Sequence, residues 1–346
     1  KTAMREEYLA FGTPDFTDAE IDAVTRVMRT GWVGMGQETI AFEAELSEYI
    51  GAPEVVTVNS CTSALFFALL VEGIGPGDEV IVPSLTWCAT ANAALYLGAT
   101  PIFCDVDEQS MCVTPETIAA KITPRTKALV VNSPNNPTGA VYPKEVLEAL
   151  ARLAVEHDFY LVSDEIYEHL LYEGEHFSPG RVAPEHTLTV NGAAKAFAMT
   201  GWRIGYACGP KEVIKAMASV SSQSTTSPDT IAQWATLEAL TNQEASRAFV
   251  EMAREAYRRR RDLLLEGLTA LGLKAVRPSG AFYVLMDTSP IAPDEVRAAE
   301  RLLEAGVAVV PGTDFAAFGH VRLSYATSEE NLRKALERFA RVLGRA

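Results

Sequence analysis

From about residue 40 onward the chain repeats one unit, a short apolar strand followed by a helical stretch. EVVTV at 54–58 runs into SALFFALLVEGI, GPGD makes a turn into EVIVP at 79–83, and WCATANAALYLG reads as a helix. TPIFCDV, KALVV at 127–131, FYLVSD at 159–164, TLTVNG and RIGYACG continue the series, with helices such as KEVLEALARLAVEHD between many of them. Few folds accept this order. A parallel strand pair needs a crossover over the sheet face, and an interleaved helix supplies it while covering that face. The expected class is α/β, a mainly parallel sheet with helices on both sides. From roughly 228 to 270 the pattern turns long and helical, ending in YRRRRD. AFYVLMD, VAVVPG and HVRLSYA, mixed with two amphipathic helices, then predict a smaller α+β domain. We expect a large domain over 40–255 and a small one built from 1–39 with 256–346.

The chain's 346 residues suffice for two domains at about 100–200 residues each. Thirty basic against 45 acidic residues give a net charge of −15, which argues against nucleic acid or an anionic membrane as partner. No apolar run reaches the ~18 residues of a membrane span, and KTAMREEYLAFGTPDF does not read as a signal peptide. Five cysteines, an odd number without a CxxC pair, point to a reduced cytoplasmic protein without structural zinc. The charge is uneven. Residues 1–127 carry 7 Lys/Arg and 18 Asp/Glu, residues 128–346 carry 23 and 27, and no basic residue lies between Arg29 and Lys121.

Hydrolytic and metal signatures such as HExxH, GxSxG and a P-loop are missing, and the five histidines read as surface or satisfied groups. Four clusters stand out instead. SPNNPTG (133–139) follows KALVV and is either a functional loop or a plain turn. SDEIY (163–167) places Asp164 and Tyr167 at a strand's carboxyl end, where open α/β sheets bind ligands. NGAAKAFAMTGWRIG (191–205) sets Lys195 among small and apolar residues, with Arg203 eight positions on. A lysine there is costly to keep charged and becomes a candidate nucleophile, unless it snorkels to the surface. VRLSY (321–325) holds Arg322 in an apolar strand, which calls for either a bound anion or a structural salt bridge.

These four clusters, in this order over about 128–346, resemble the class I aminotransferases, pyridoxal-phosphate enzymes of fold type I, and within them the aspartate aminotransferases of thermophilic bacteria. Residues of about 10–121, including NSCTSALFFALLVEGIGPGDEVIVPSLTW, resemble the DegT-type sugar aminotransferases, which share fold and cofactor. The two resemblances meet at ITPRTKA (122–128), beside the charge step, which suggests a chimera of two homologous enzymes.

The resemblance implies pyridoxal 5′-phosphate as cofactor, with Lys195 forming the internal aldimine and then carrying the proton between substrate and cofactor. Asp164 is expected to pair with the ring nitrogen, and Tyr167 and Asn136 to hydrogen-bond the ring's phenolic oxygen. Pro137 is expected to follow a cis bond. With no cation in 30–120, the phosphate should rest on the helix start at Cys61 and Thr62, with Arg203 as counter-charge. The family usually has Gly-Thr there, so a side chain at Cys61 is expected to crowd the phosphate turn. Trp87 is either a stacking partner for the ring or core. Arg322 should clamp the substrate α-carboxylate. The expected activity moves an amino group from an aspartate- or glutamate-like amino acid to a 2-oxo acid in a homodimer. Sugar-nucleotide transamination and a cofactor-binding chimera with little turnover are the alternatives.

Overall fold

The computed structural model describes residues 18–31 and 36–345. Parts of the expected small-domain segment 1–39, and of the stretch 10–121 read as DegT-like, lie outside them. Helices α1 (Asp18–Thr30) and α2 (Gln37–Ile50) lead into β1 (Val55–Val58), α3 (Cys61–Val71), β2 (Glu79–Pro83), α4 (Ala89–Tyr96) and β3 (Thr100–Cys104). Next come α5 (Pro115–Ala119), β4 (Thr126–Asn132), α6 (Lys144–His157), β5 (Tyr160–Asp164), β6 (Thr187–Gly192), the short α7 (Ala193–Ala196) and β7 (Gly205–Cys208). After α8 (Lys211–Ser224), α9 (Thr230–Thr241) and the long α10 (Gln243–Ala270) follow β8 (Tyr283–Asp287), α11 (Glu295–Glu304), β9 (Val310–Pro311), β10 (His320–Ser324) and α12 (Glu329–Val342).

Seven strands form one sheet in the order β1-β7-β6-β5-β4-β2-β3, parallel except for β7, which runs against both neighbours. The alternation of side chains explains why the central strands read as continuous apolar runs. Val80, Val82, Val130 and Val162 pack with Leu65, Leu69 and Ile214 in one core cluster, while Ile81, Leu129, Val131 and Leu161 pack with Leu147, Leu150 and Phe159 in another. Both faces are covered, so both registers are hydrophobic. The strand expected to start at Arg203 starts at Gly205. Arg203 itself has φ +58°, a left-handed conformation that ends a short 3₁₀ turn over Thr200–Trp202.

The charge step marks no boundary in the fold. β4, which directly follows the returning basic residues Lys121 and Arg125, pairs with β2 on one side and β5 on the other, in the interior of the sheet. Correcting another expectation, the cis peptide bond is Ser133–Pro134, and Asn136–Pro137 is not cis.

A second sheet, β8-β10-β9, is antiparallel. Val284, Met286, Val321 and Leu323 face the core beneath α10, α11 and α12. The register pairs Tyr283 with Ser324 and Leu285 with Arg322, so Tyr283, Leu285 and Arg322 share the opposite face. Period-2 alternation thus resolves the puzzle of a guanidinium inside an apolar strand. Leu285 on that face clusters with Phe315 and Leu85, the latter from the loop after β2, and this brings the two sheets together.

Candidate active site

The carboxyl ends of β4, β5 and β6 meet the buried face of β10, and most of the sequence-predicted residues collect there. Asp164 ends β5. Its Oδ1 accepts from the Ile166 amide at 3.2 Å and from the Cys61 thiol at 3.4 Å. Burial pushes its carboxyl up to about 6 from the ordinary 3.8, with those two hydrogen bonds opposing the rise. Asn132, the last residue of β4, donates to the Asp164 carbonyl at 3.1 Å and accepts from the Asn136 amide at 2.9 Å. Asn136 Oδ1 in turn accepts from Arg322 Nη1 at 2.8 Å. A continuous run of hydrogen bonds therefore joins the large sheet to the small one.

Arg322 is 7% exposed, and its Nε is buried without a partner. Among the described residues it makes no salt bridge, so the structural-ion-pair alternative is not what the fold uses. Its guanidinium carbon lies 4.4 Å from the Tyr283 ring centroid, 4.8 Å from that of Phe315 and 5.7 Å from that of Trp87. The rings hold the cation by their π faces while a planar donor edge stays available. Burial lowers the guanidinium's pKa, which is the cost an anion at that edge would relieve.

Lys195 sits on α7, half-buried, with Nζ 5.8 Å from the ring centroids of both Tyr167 and Phe282. It is not a snorkelling surface lysine. Tyr167 is buried, and its hydroxyl lies 3.1 Å from that of Tyr283. Two glycines make this close packing possible. A Cβ on Gly192 would stand 2.5 Å from the Ile204 carbonyl oxygen, and one on Gly205 would stand 2.4 Å from the Ser60 carbonyl carbon. Behind the site Glu165 is saturated by Ser163, Ser178 and His176, each at 2.7–2.8 Å, and Glu168 accepts from Asn191 at 2.7 Å.

On the N-terminal side, Ser60 caps α3 by accepting from the Ser63 amide, and Thr62 is exposed in the helix's first turn. Cys61 was expected to crowd that turn. Its thiol points instead at Asp164, and burial raises its pKa well above the usual value. Trp87 is 40% exposed and tilted against Phe315, with ring centroids 5.8 Å apart. The structure does not bring Arg203 to the others. It is exposed, and its Nη1 donates to the Thr200 carbonyl at 3.0 Å.

Tyr283, Asn132 and Phe282 escaped the sequence reading because AFYVLMD and KALVVN look like ordinary strands. The one available signal was alternation, since a tyrosine two places from Leu285 on a strand paired with that of Arg322 must share its face.

The chain is similar to known proteins over nearly its whole length. The profile of the family "Aminotransferase class I and II" matches residues 13–339. The aspartate/prephenate aminotransferase of Thermus thermophilus is 82% identical over 295 residues, 85% of this chain and 77% of that protein. The aspartate aminotransferase of Bacillus sp. YM-2 is 37% identical over 97% of this chain and 91% of its own length. The solved aspartate aminotransferase from Thermus thermophilus with maleate superposes with a TM-score of 0.92 at 71% identity, covering 97% of this chain and 92% of that one. The family match runs unbroken across ITPRTKA, so the DegT-like, chimeric reading of the first 121 residues gains no support. The same findings favour the amino-acid reading over sugar-nucleotide transamination.

Proposed function

Since the chain belongs to the class I and II aminotransferases, enzymes that use pyridoxal 5′-phosphate, we propose that the groups gathered around Asp164 are its working site. The observation that carries this reading is the Arg322 edge: a buried guanidinium held by Asn136 and three rings, with an orphaned Nε and, among the described residues, no carboxylate partner. The donor set also fits the cofactor. Asp164 is an acid raised mainly by burial, with the Lys195 charge only a minor opposing influence, as suits a group that would face a cationic ring nitrogen. Lys195 is the half-buried amine to hold the cofactor, and the start of α3 offers backbone N–H groups and hydroxyls to a phosphate. Arg203 is placed to help only by turning from the Thr200 carbonyl.

When bound, the cofactor supplies the electron sink that lets the substrate's Cα–H ionise. Lys195 would take that proton from Cα and hand it to the cofactor's C4′. Arg322 grips the α-carboxylate with two parallel N–H donors and so fixes which Cα bond faces Lys195. Tyr167 and Asn136 would hold the cofactor's phenolic oxygen, and Trp87 would lie against its ring. The names of the relatives point to aspartate and prephenate as their substrates, and we extend to this chain an aspartate- or glutamate-like donor and a 2-oxo acid acceptor. The proposal includes a homodimer, a cytoplasmic place supported by five free cysteines, and the domain division 40–255 against 1–39 with 256–346. No helix among the described residues is long and apolar enough to cross a membrane.

The test is the visible spectrum of the cofactor-loaded protein with and without glutamate or aspartate. The band should bleach on adding the amino acid, as the amino group passes to the cofactor. A band that persists would mean binding without transfer.

A further inference from the structure

Tyr283 touches two of the groups placed in the proposed site, Tyr167 and Arg322. Its hydroxyl lies 3.1 Å from the Tyr167 hydroxyl, and the Arg322 guanidinium carbon stands 4.4 Å from its ring centroid. It is 6% exposed, with the Tyr167 ring edge-on at 5.9 Å and the Phe282 ring at 4.6 Å, so it has little room to turn. β8 fixes it from below through the ladder to β10, opposite Ser324.

Resting on the proposed roles of Tyr167 and Arg322, we propose that Tyr283 is a positioning residue with two separable functions, its hydroxyl supporting Tyr167 and its ring supporting Arg322. The physics of each part is distinct. When the Tyr283 hydroxyl donates to Tyr167, the Tyr167 proton is left free to donate to the cofactor's phenolic oxygen, and hydrogen bonds in series strengthen one another. A stronger donor favours the anionic oxygen, which holds the titration of the bound cofactor lower. The ring acts differently. It gives the guanidinium a π face to lie on and keeps its planar donor edge turned toward the substrate carboxylate.

Two substitutions separate the functions. Tyr283→Phe removes the hydroxyl and keeps the ring, whereas Tyr283→Leu removes both. The measurements, on cofactor-loaded protein, are the pH midpoint of the visible absorbance change and the affinity for a non-reacting α-methyl amino acid. Tyr283→Phe should raise the midpoint by roughly 0.3–1 unit, the scale of losing one cooperative hydrogen-bond neighbour. Its affinity for the α-methyl amino acid should stay within about twofold of the parent. Tyr283→Leu should raise the midpoint similarly and weaken that affinity roughly 2- to 30-fold, the range of a desolvated cation–π contact. Tyr167→Phe serves as the control. If it raises the midpoint while Tyr283→Phe does not, the hydroxyl function is wrong and the proposed site stands. If Tyr167→Phe leaves the midpoint unchanged, the role given to Tyr167 fails first. Equal affinities in the Phe and Leu variants would overturn the ring function, and a Leu variant that does not fold leaves the hydroxyl function to be decided by Phe.

Discussion

The two sides of the site are built on different principles. On the side of residues 128–346, the functional groups are side chains that hold one another: Arg322 bonds Asn136, whose amide bonds Asn132, which bonds the Asp164 carbonyl, while Tyr167 meets Tyr283. On the side before residue 121 there is a helix start with exposed Thr62, a part-exposed Trp87 and no lysine or arginine from 30 to 120. In the proposed roles, one side would supply charge and proton transfer from side chains held by one another. The other would offer backbone dipole and an aromatic surface, and among the described residues its side-chain tie to Asp164 is Cys61. Errors on the first side should therefore be costly, and errors on the second mild.

The largest effect should come from Lys195→Ala. Transamination falls below detection, because no other lysine stands near Tyr167 and Phe282 among the described residues. Near-parental turnover in that variant would remove Lys195 from the centre of the reading. Asp164→Asn comes next and should lower kcat/KM by roughly 10²–10³-fold, the scale of breaking a buried ion pair. Without cofactor the same substitution has the opposite sign. The folded carboxyl sits at about 6 against an ordinary 3.8, so the folded state binds more protons between those values and stability declines as pH rises from about 4 to 6. Asparagine removes that decline, and denaturant melts of cofactor-free protein at pH 7.5 should show a gain on the order of 1–3 kcal/mol that vanishes near pH 4. A loss at pH 7.5 would mean that a cation already neutralises Asp164.

Arg322→Ala removes two charge-assisted hydrogen bonds worth roughly 2–5 kcal/mol in a desolvated site, a fall of about thirty- to several-thousand-fold in kcat/KM for amino acids. Cofactor affinity, measured by absorbance titration, should change little. Comparable losses of cofactor would show that Arg322 supports the fold of the site rather than the substrate. The smallest effects belong to the N-terminal side. Cys61→Gly deletes one weak thiol donor to Asp164 and should alter half-reaction rates by less than about tenfold. Parental rates for aspartate and alanine should also lie close together, since no cation from 30–120 can read a distal carboxylate. A strong preference for aspartate would place a reading cation elsewhere and narrow the contrast between the two sides.

Much of this was legible in the chain because the groups sit at strand ends. Asp164 and Asn136 follow apolar runs, and the sheet delivers such positions to one edge whatever the details of packing. Lys195 was legible for its small, apolar neighbours. Tyr283 was not, since a tyrosine in a strand is unremarkable until register places it diagonal to Arg322. The direction of Cys61 could not be read either, because which way a side chain at the start of α3 turns depends on the strand ends packed beside it, and here the thiol meets Asp164. The charge step misled by looking like a junction, although β4 lies inside one continuous sheet.

The central claim is that the cofactor is held and worked from the frame built by residues 128–346, with Lys195 at its centre. Borohydride reduction of the cofactor-loaded protein fixes the cofactor to the lysine that holds it, and digestion followed by mass mapping identifies that residue. The account predicts the label on Lys195 within the NGAAKAFAMTGWR stretch, in near-stoichiometric yield, and its loss when aspartate or glutamate is added first. A label on another lysine, such as Lys211 or Lys215, or a label indifferent to amino acid, would contradict it.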